Sequence, residues 1–342
     1  MDNRIILAAD IGATKTNLGL YNLEGGLRSP MKEATYSSPQ FKNFELILED
    51  FIARDDNLEI DIACFGVPGP VEGNQASTTN LPWLIESERI ERMFRIKRVM
   101  LVNDLAATAI SIPQLNSEEL FTIQKGTYRE KGNIAVIAPG TGLGEAFLIT
   151  SPYGERIAQG SEGGHADFAP VDRVQQDLLS HLQERIGHVS YENVCSGRGL
   201  PNIYDFLLEH DMAAEPDWLK ERLDGCGDPV PEIVRAAIKH GEECEICDHC
   251  IRLFVAILGA EAGNLAIRTM ATGGIYIGGG IVPRIINILD SHHFLKFFLN
   301  KGRVAGLLAN IPVQVIMNPK AAMIGAASHA ISALTQVERV II

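Results

Sequence analysis

The sequence predicts an α/β fold organised as two domains. Three observations lead there: short apolar runs alternate with stretches of helical periodicity, a strand–glycine loop–strand pattern occurs twice, and the chain is long enough for about two domains. It has 342 residues, 46% hydrophobic and 21% charged. That is an ordinary globular balance.

The opening segment, Ile5 to Tyr21, is an apolar run, a turn rich in Gly and Thr, and a second apolar run. It reads as two strands joined by a tight loop. Phe44, Ile47, Leu48 and Phe51 then recur at helical spacing behind Asn43, a candidate N-cap. Ile60 to Val67 and Arg98 to Val102 read as strands, with a helical pattern over Glu86 to Phe94 between them. From Asn133 to Thr150 the opening pattern repeats as IAVIA, PGTGLG and EAFLI. Downstream the composition turns helical over Val174 to Ile186, Gly199 to Glu209, Val230 to His240 and about Cys250 to Met270. A third glycine cluster spans Gly273 to Pro283, Pro312 to Met317 reads as a strand, and Ala321 to Leu334 reads as an Ala-rich helix.

The formal net charge of −13 argues against nucleic acid, which needs clustered Lys and Arg. The N-terminus lacks the shape of a signal peptide, and no run reaches the roughly 18 uninterrupted apolar residues of a membrane span. Six cysteines are too few and too scattered to frame a disulfide scaffold of this length. A reducing, cytoplasmic location is expected. Three of them, Cys244, Cys247 and Cys250, lie beside His249 at a spacing that invites a zinc or iron–sulfur reading. The run leads straight into a helical pattern, however, with positions 244, 247 and 251 on one face, and it lacks a second ligand pair.

The glycine loops carry the chemistry. In the first, Ala9-Asp10-Ile11-Gly12-Ala13-Thr14, Gly12 lets the backbone approach a phosphate and Thr14 offers a hydroxyl. Asp10, at the strand end, suits Mg²⁺ bound directly or through water. An ordinary hairpin turn explains the same residues. The second loop, Gly140-Thr141-Gly142-Leu143-Gly144, suits converging backbone donors but is neither a Walker loop nor a dinucleotide fingerprint. In the third, Gly278 and Gly279 suit an adenosine, although close packing would ask for the same glycines.

Asn103-Asp104 follows a strand and precedes a helical run. Asp104 there reads as an N-cap, as a general base, or as both at once, with Asn103 binding a neighbouring hydroxyl. Glu162 and His165 flank two glycines, a spacing unlike a helical metal pair and better suited to polyol hydroxyls. Glu192 reads either as a further acceptor or as an acid at a helix N-terminus.

Taken together, ADIGAT, LVNDLAATAISIP, APGTGLG, SEGGHADFAP, IGHVSYENVCSGRGL, GGIYIGGGIVPR and NKGRV resemble, in order and across nearly the whole chain, the bacterial glucokinase family. That family belongs to the actin, hexokinase and Hsp70 ATPase superfamily. The resemblance implies two ribonuclease H-like domains flanking a catalytic cleft, expected at 1–107, completed by about 321–342, and at 108–320. It implies Asp104 as catalytic base and Asn103, Glu162, His165 and Glu192 as sugar ligands. Ala9 to Thr14 and Gly140 to Gly142 look like phosphate loops, and Gly278 and Gly279 like the adenosine motif. ATP and Mg²⁺ are the implied cofactors, glucose the partner substrate, and a homodimer the assembly left open. Ala13 and Asn17 depart from the family's usual Gly and Arg. No cysteine-rich zinc motif follows His165 closely, which places the chain in the zinc-free group. A kinase for another hexose or N-acetyl amino sugar, and a non-catalytic sugar sensor, are the alternatives.

Overall fold

The computed structural model describes residues 4–52, 58–78, 81–240, 243–289 and 292–341. The first apolar run is strand β1 (Ile5–Ile11), which turns back as β2 (Lys15–Asn22), with β3 (Lys32–Ser37) following. Helix α1 (Phe44–Ile52) leads to β4 (Ile62–Val67), and Asn43 Oδ1 accepts the Leu46 amide at its start. A small sheet of β5 (Val71–Glu72), β6 (Gln75–Ser77) and β7 (Leu84–Glu86) and helix α2 (Ser87–Phe94) precede β8 (Val99–Asn103) and α3 (Asp104–Ser111).

The main sheet of this part has the order β3-β2-β1-β4-β8, with β1–β2 antiparallel and β1, β4 and β8 parallel. Residues Leu7, Ala9 and Ile11 face one apolar cluster and Ile6 and Ala8 the other. Burial on both faces is why β1 reads as a continuous apolar run rather than an alternating one.

Beyond Glu119 come β9 (Leu120–Gln124), β10 (Ile134–Pro139), β11 (Leu143–Thr150) and β12 (Arg156–Ser161). Helices α4 (Arg173–Ile186), α5 (Gly199–Glu209), α6 (Asp217–Leu223) and α7 (Val230–His240) lead to α8 (Glu245–Thr269). Strand β13 (Gly274–Ile277), α9 (Ile286–Leu289), α10 (His293–Phe298), α11 (Ala305–Leu308) and β14 (Val313–Ile316) follow, and α12 (Ala321–Ile341) closes the chain. The second sheet has the order β12-β11-β10-β13-β14-β9.

Two compact units result. One comprises Met1–Glu119, Ala146–Gly160 and Asn318–Ile342; the other comprises Leu120–Glu145 and Ser161–Met317. In the first, α12 lays Met323, Ala326, Ala327 and Ala330 on the sheet face of Ile6, Ala8, Ile62 and Cys64. Gly325 permits its crossing with α3, because a Cβ there would lie 1.7 Å from the Ala107 carbonyl oxygen.

In the second unit α8 is long and apolar enough to cross a membrane, but 83% of its most apolar window is buried inside the fold. It is a core helix. Added Cβ atoms at Gly259 and Gly263 would lie 2.5 and 2.6 Å from the carbonyl oxygens of Phe294 and Phe298, so these glycines let the α10 segment pack backbone to backbone. The helix begins at Glu245, earlier than the expected start near Cys250, with Cys244 at its N-cap position. Cys244, Cys247 and Cys250 are buried; burial pushes the Cys247 and Cys250 thiols up, and Cys250 Sγ donates to the Leu200 carbonyl. That environment disfavours the thiolate a metal requires.

Candidate active site

In the first unit the parallel register brings the site residues to one end of the sheet. Asp10 pairs with Gly66, and Gly66 pairs with Val102, one residue before Asn103. Two strand spacings of about 4.8 Å therefore separate the ends of β1 and β8, or roughly 10 Å. The β1–β2 loop is a tight hairpin in which the Gly12 amide donates to the Lys15 carbonyl at 2.9 Å. Ser38 braces it: its amide donates to Thr14 O and its hydroxyl to Gly12 O. Thr14 itself is exposed.

Asp10 and Asn17 are cross-strand partners, and Asn17 Nδ2 donates to Asp10 Oδ2 at 3.4 Å. Burial pushes the Asp10 carboxyl up to about 6, against the smaller opposing effect of the Asn17 hydrogen bond. Asn17 is in turn oriented by Thr35, whose hydroxyl donates to Asn17 Oδ1. A half-buried carboxylate whose side-chain partner is neutral suits a hard cation, because the cation would offset the desolvation. The residues present therefore fit Mg²⁺.

At the end of β8 the capping reading needs correction. Asn103, not Asp104, is the N-cap: its backbone is non-helical, and its Oδ1 accepts the amides of Leu105 and Ala106, both at 3.0 Å. Asp104 is the first helical residue, with Oδ1 accepting the Leu105 amide at 2.9 Å. Asn103 Nδ2 donates to Gly69 O at 3.2 Å, leaving its second N–H for another acceptor. Gly160 abuts this side chain, for a Cβ there would come within 2.8 Å of Asn103 Oδ1.

In the second unit the Gly140 loop joins β10 to β11. Glu192 is bound to it, its Oε2 accepting the Leu143 amide at 2.9 Å and lying 2.2 Å from where a Cβ on Gly142 would stand. Glu192 is thus not an acid at a helix N-terminus but a loop residue whose other oxygen lies 3.7 Å from Arg198. The Thr141 carbonyl accepts the Arg198 amide. Gly163–His165 form a short 3-10 turn that sets Glu162 and His165 3.7 Å apart, both well exposed. The Glu192 amide donates to Gly164 O, so the turn and the Glu192 segment are tied together.

Parallel pairing of Ile137 with Ile277 puts the Gly140 and Gly278 loops at the same end of the second sheet. Gly279 has φ of +86° and backs onto Pro139, whose carbonyl oxygen would lie 2.2 Å from an added Cβ. Packing accounts for that glycine. It does not account for Gly140 or Gly280, where an added Cβ would meet nothing within 4 Å.

Two acids escaped the sequence reading. Glu145 and Glu261 are buried within the apolar runs LGEAFLI and ILGAEAGNLAI. A lone acid inside such a run was the available signal.

Two α/β units, each with a glycine loop at a strand end, have the architecture of the actin-like ATPase fold. The family model described as Glucokinase matches residues 7–333. A glucokinase from Nostoc sp. is 37% identical over 337 residues, spanning 94% of this chain and 98% of that one. The crystal structure of a glucokinase from an Antarctic psychrotroph superposes with a TM-score of 0.82 at 30% identity, over 97% of this chain and 99% of that one. A ROK family glucokinase from Streptomyces griseus, solved with glucose and AMPPNP, shares the fold with a TM-score of 0.64 at 19% identity, over 96% and 99% of the two chains. The chain belongs to the glucokinase family.

Proposed function

We propose that the chain transfers the γ-phosphoryl group of ATP to the 6-hydroxyl of glucose, with Asp104 as general base. The observation that carries the reading is the shared end of the first sheet, where the register sets Asp10 on β1 and the Asn103-Asp104 pair at the end of β8, two parallel strands apart across β4. Phosphoryl transfer asks a protein for positioning and charge stabilisation more than for covalent chemistry. Asp104 accepts the hydroxyl proton as the sugar oxygen bonds to phosphorus and the bridging oxygen departs with ADP. The Leu105 amide on Oδ1 fixes the carboxylate's orientation.

Asn103, Glu162, His165 and Glu192 hold the sugar hydroxyls in this reading. Ala9 to Thr14 and Gly140 to Gly142 take the phosphates, and the open backbone at Gly140 and Gly280 supports a nucleotide lying against the second sheet's end. Mg²⁺ held by Asp10 would neutralise phosphate charge when bound. The AMPPNP and glucose bound to the Streptomyces griseus enzyme support the same substrate pair.

The test is ADP release across a panel of sugars, followed by Glu162→Gln and His165→Ala. Losing one hydrogen bond to a charged group is worth about 1.5–3 kcal/mol, so glucose KM should rise roughly tenfold to hundredfold while ATP KM moves little. ADP release with a different sugar and none with glucose would refute the assignment.

A further inference from the structure

Behind the Gly163–His165 turn lies a buried polar cluster that the proposed reaction leaves unused. Glu145, 2% exposed on β11, presses its carboxyl against the turn: a Cβ on Gly163 would lie 2.0 Å from Glu145 Oε2. Its Oε1 is buried without a hydrogen-bond partner. Facing it is Glu261 on α8, 0% exposed, which accepts from Asn264 and Arg268, each at 2.8 Å. Asn264 also donates to the Tyr191 hydroxyl at 3.1 Å and accepts from Lys301 at 2.7 Å. The cluster thus touches both strands of chain that form the candidate sugar site. Glu145 abuts Gly163, and the Tyr191 amide donates to Ala166 O at 3.0 Å.

Burial, reinforced by Glu261 and opposed in part by Arg268, pushes the Glu145 carboxyl up to about 8. Burial, with Glu261 beside them, pushes the Tyr191 hydroxyl and the Cys195 thiol up, away from neutrality. Lys301 is drawn down by burial but supported by Glu261. Burial and the neighbouring Glu261 side chain together favour the protonated form of Glu145.

We infer that Glu145 is a positioning residue, whose buried carboxyl, wedged against Gly163, holds the 162–166 turn in its sugar-binding form. Losing the Glu145 proton puts an unsolvated charge into this buried cluster and releases the wedge. The inference rests on the reading that Glu162 and His165 in this turn hold the sugar.

The experiment measures glucose and ATP KM from pH 6.5 to 9.5 for the wild type, Glu145→Gln and Glu162→Gln. One proton coupled to one binding event changes an affinity by at most about tenfold per pH unit, so wild-type glucose KM should rise about fivefold or more by pH 9.5 with ATP KM nearly level. Glu145→Gln keeps the wedge and has no proton to lose, so its glucose KM should stay flat. A Glu145→Gln profile that tracks the wild type, while Glu162→Gln still raises glucose KM, overturns the role of Glu145 alone. Glu162→Gln with unchanged glucose KM overturns the sugar-site reading instead. If the glutamine variant fails to fold, calorimetry of glucose binding to the wild type at pH 8.5, in buffers of different ionisation enthalpy, decides the matter. Proton uptake on binding supports the proposal, and its absence overturns it.

Discussion

The Asn-Asp pair shows what one residue's placement decides. Asp104 is not the helix cap, so Asp104→Asn should leave both Asn103 cap bonds intact and keep an acceptor for the Leu105 amide. Melting should be nearly unchanged while kcat falls about 10²-fold or more, as for loss of a general base. Near wild-type kcat would remove Asp104 from that role. Asn103→Ala should instead lose about 1–2 kcal/mol in urea unfolding, the usual loss for a cap, together with a higher glucose KM. The pair itself was legible in the sequence. Which member caps was not, because that depends on where β8 stops pairing with β4, and Val67↔Asn103 is the last pair in that register. Glu145 stayed hidden for a related reason: an acid on a strand reads as solvent-facing until α8 and the turn at Gly163 cover it.

Among the elements, the helix crossing of α3 and α12 is the most exacting. An added methyl at Gly325 meets the Ala107 carbonyl rather than a flexible side chain, so backbone must shift. Gly325→Ala should destabilise by about 1–3 kcal/mol in chemical denaturation, the range for overpacking. Because α3 begins with Asp104, it should also lower kcat; unchanged kcat in a destabilised variant would show that α3 holds its start independently. Gly279→Ala combines positive φ with the close approach to Pro139 O, and its expected signature is a raised ATP KM. Most elements were legible from periodicity and turn residues, the β1–β2 hairpin and helix α5 (Gly199–Glu209) among them. The start of α8 was less so, since its first turn holds Cys247 and Asp248, residues whose burial only the packed fold supplies.

For the whole molecule, the sequence could announce an Ala-rich final helix but not the sheet face it covers, some three hundred residues earlier. Deleting the chain from Asn318 onward should uncover Ile6, Ala8, Ile62 and Cys64 together. At about 1.5–3 kcal/mol for a fully buried aliphatic side chain, that loss rivals the 5–15 kcal/mol net stability of an ordinary domain. Circular dichroism should show the first unit failing to fold cooperatively; a truncated protein that melts like the wild type would deny α12 this role. The same closure sets a schedule for biosynthesis. At about 5–20 residues per second, a ribosome needs roughly 10–45 s to travel from Asp104 to Ala321, and for that interval the nascent sheet waits with one side bare. Cys64, whose thiol burial pushes up to about 12 in the finished unit, marks that side. Pulse alkylation of stalled nascent chains should label Cys64 until residues beyond 330 have emerged, and protection in chains ending near 280 would mean that another segment, or a chaperone, shelters the sheet first.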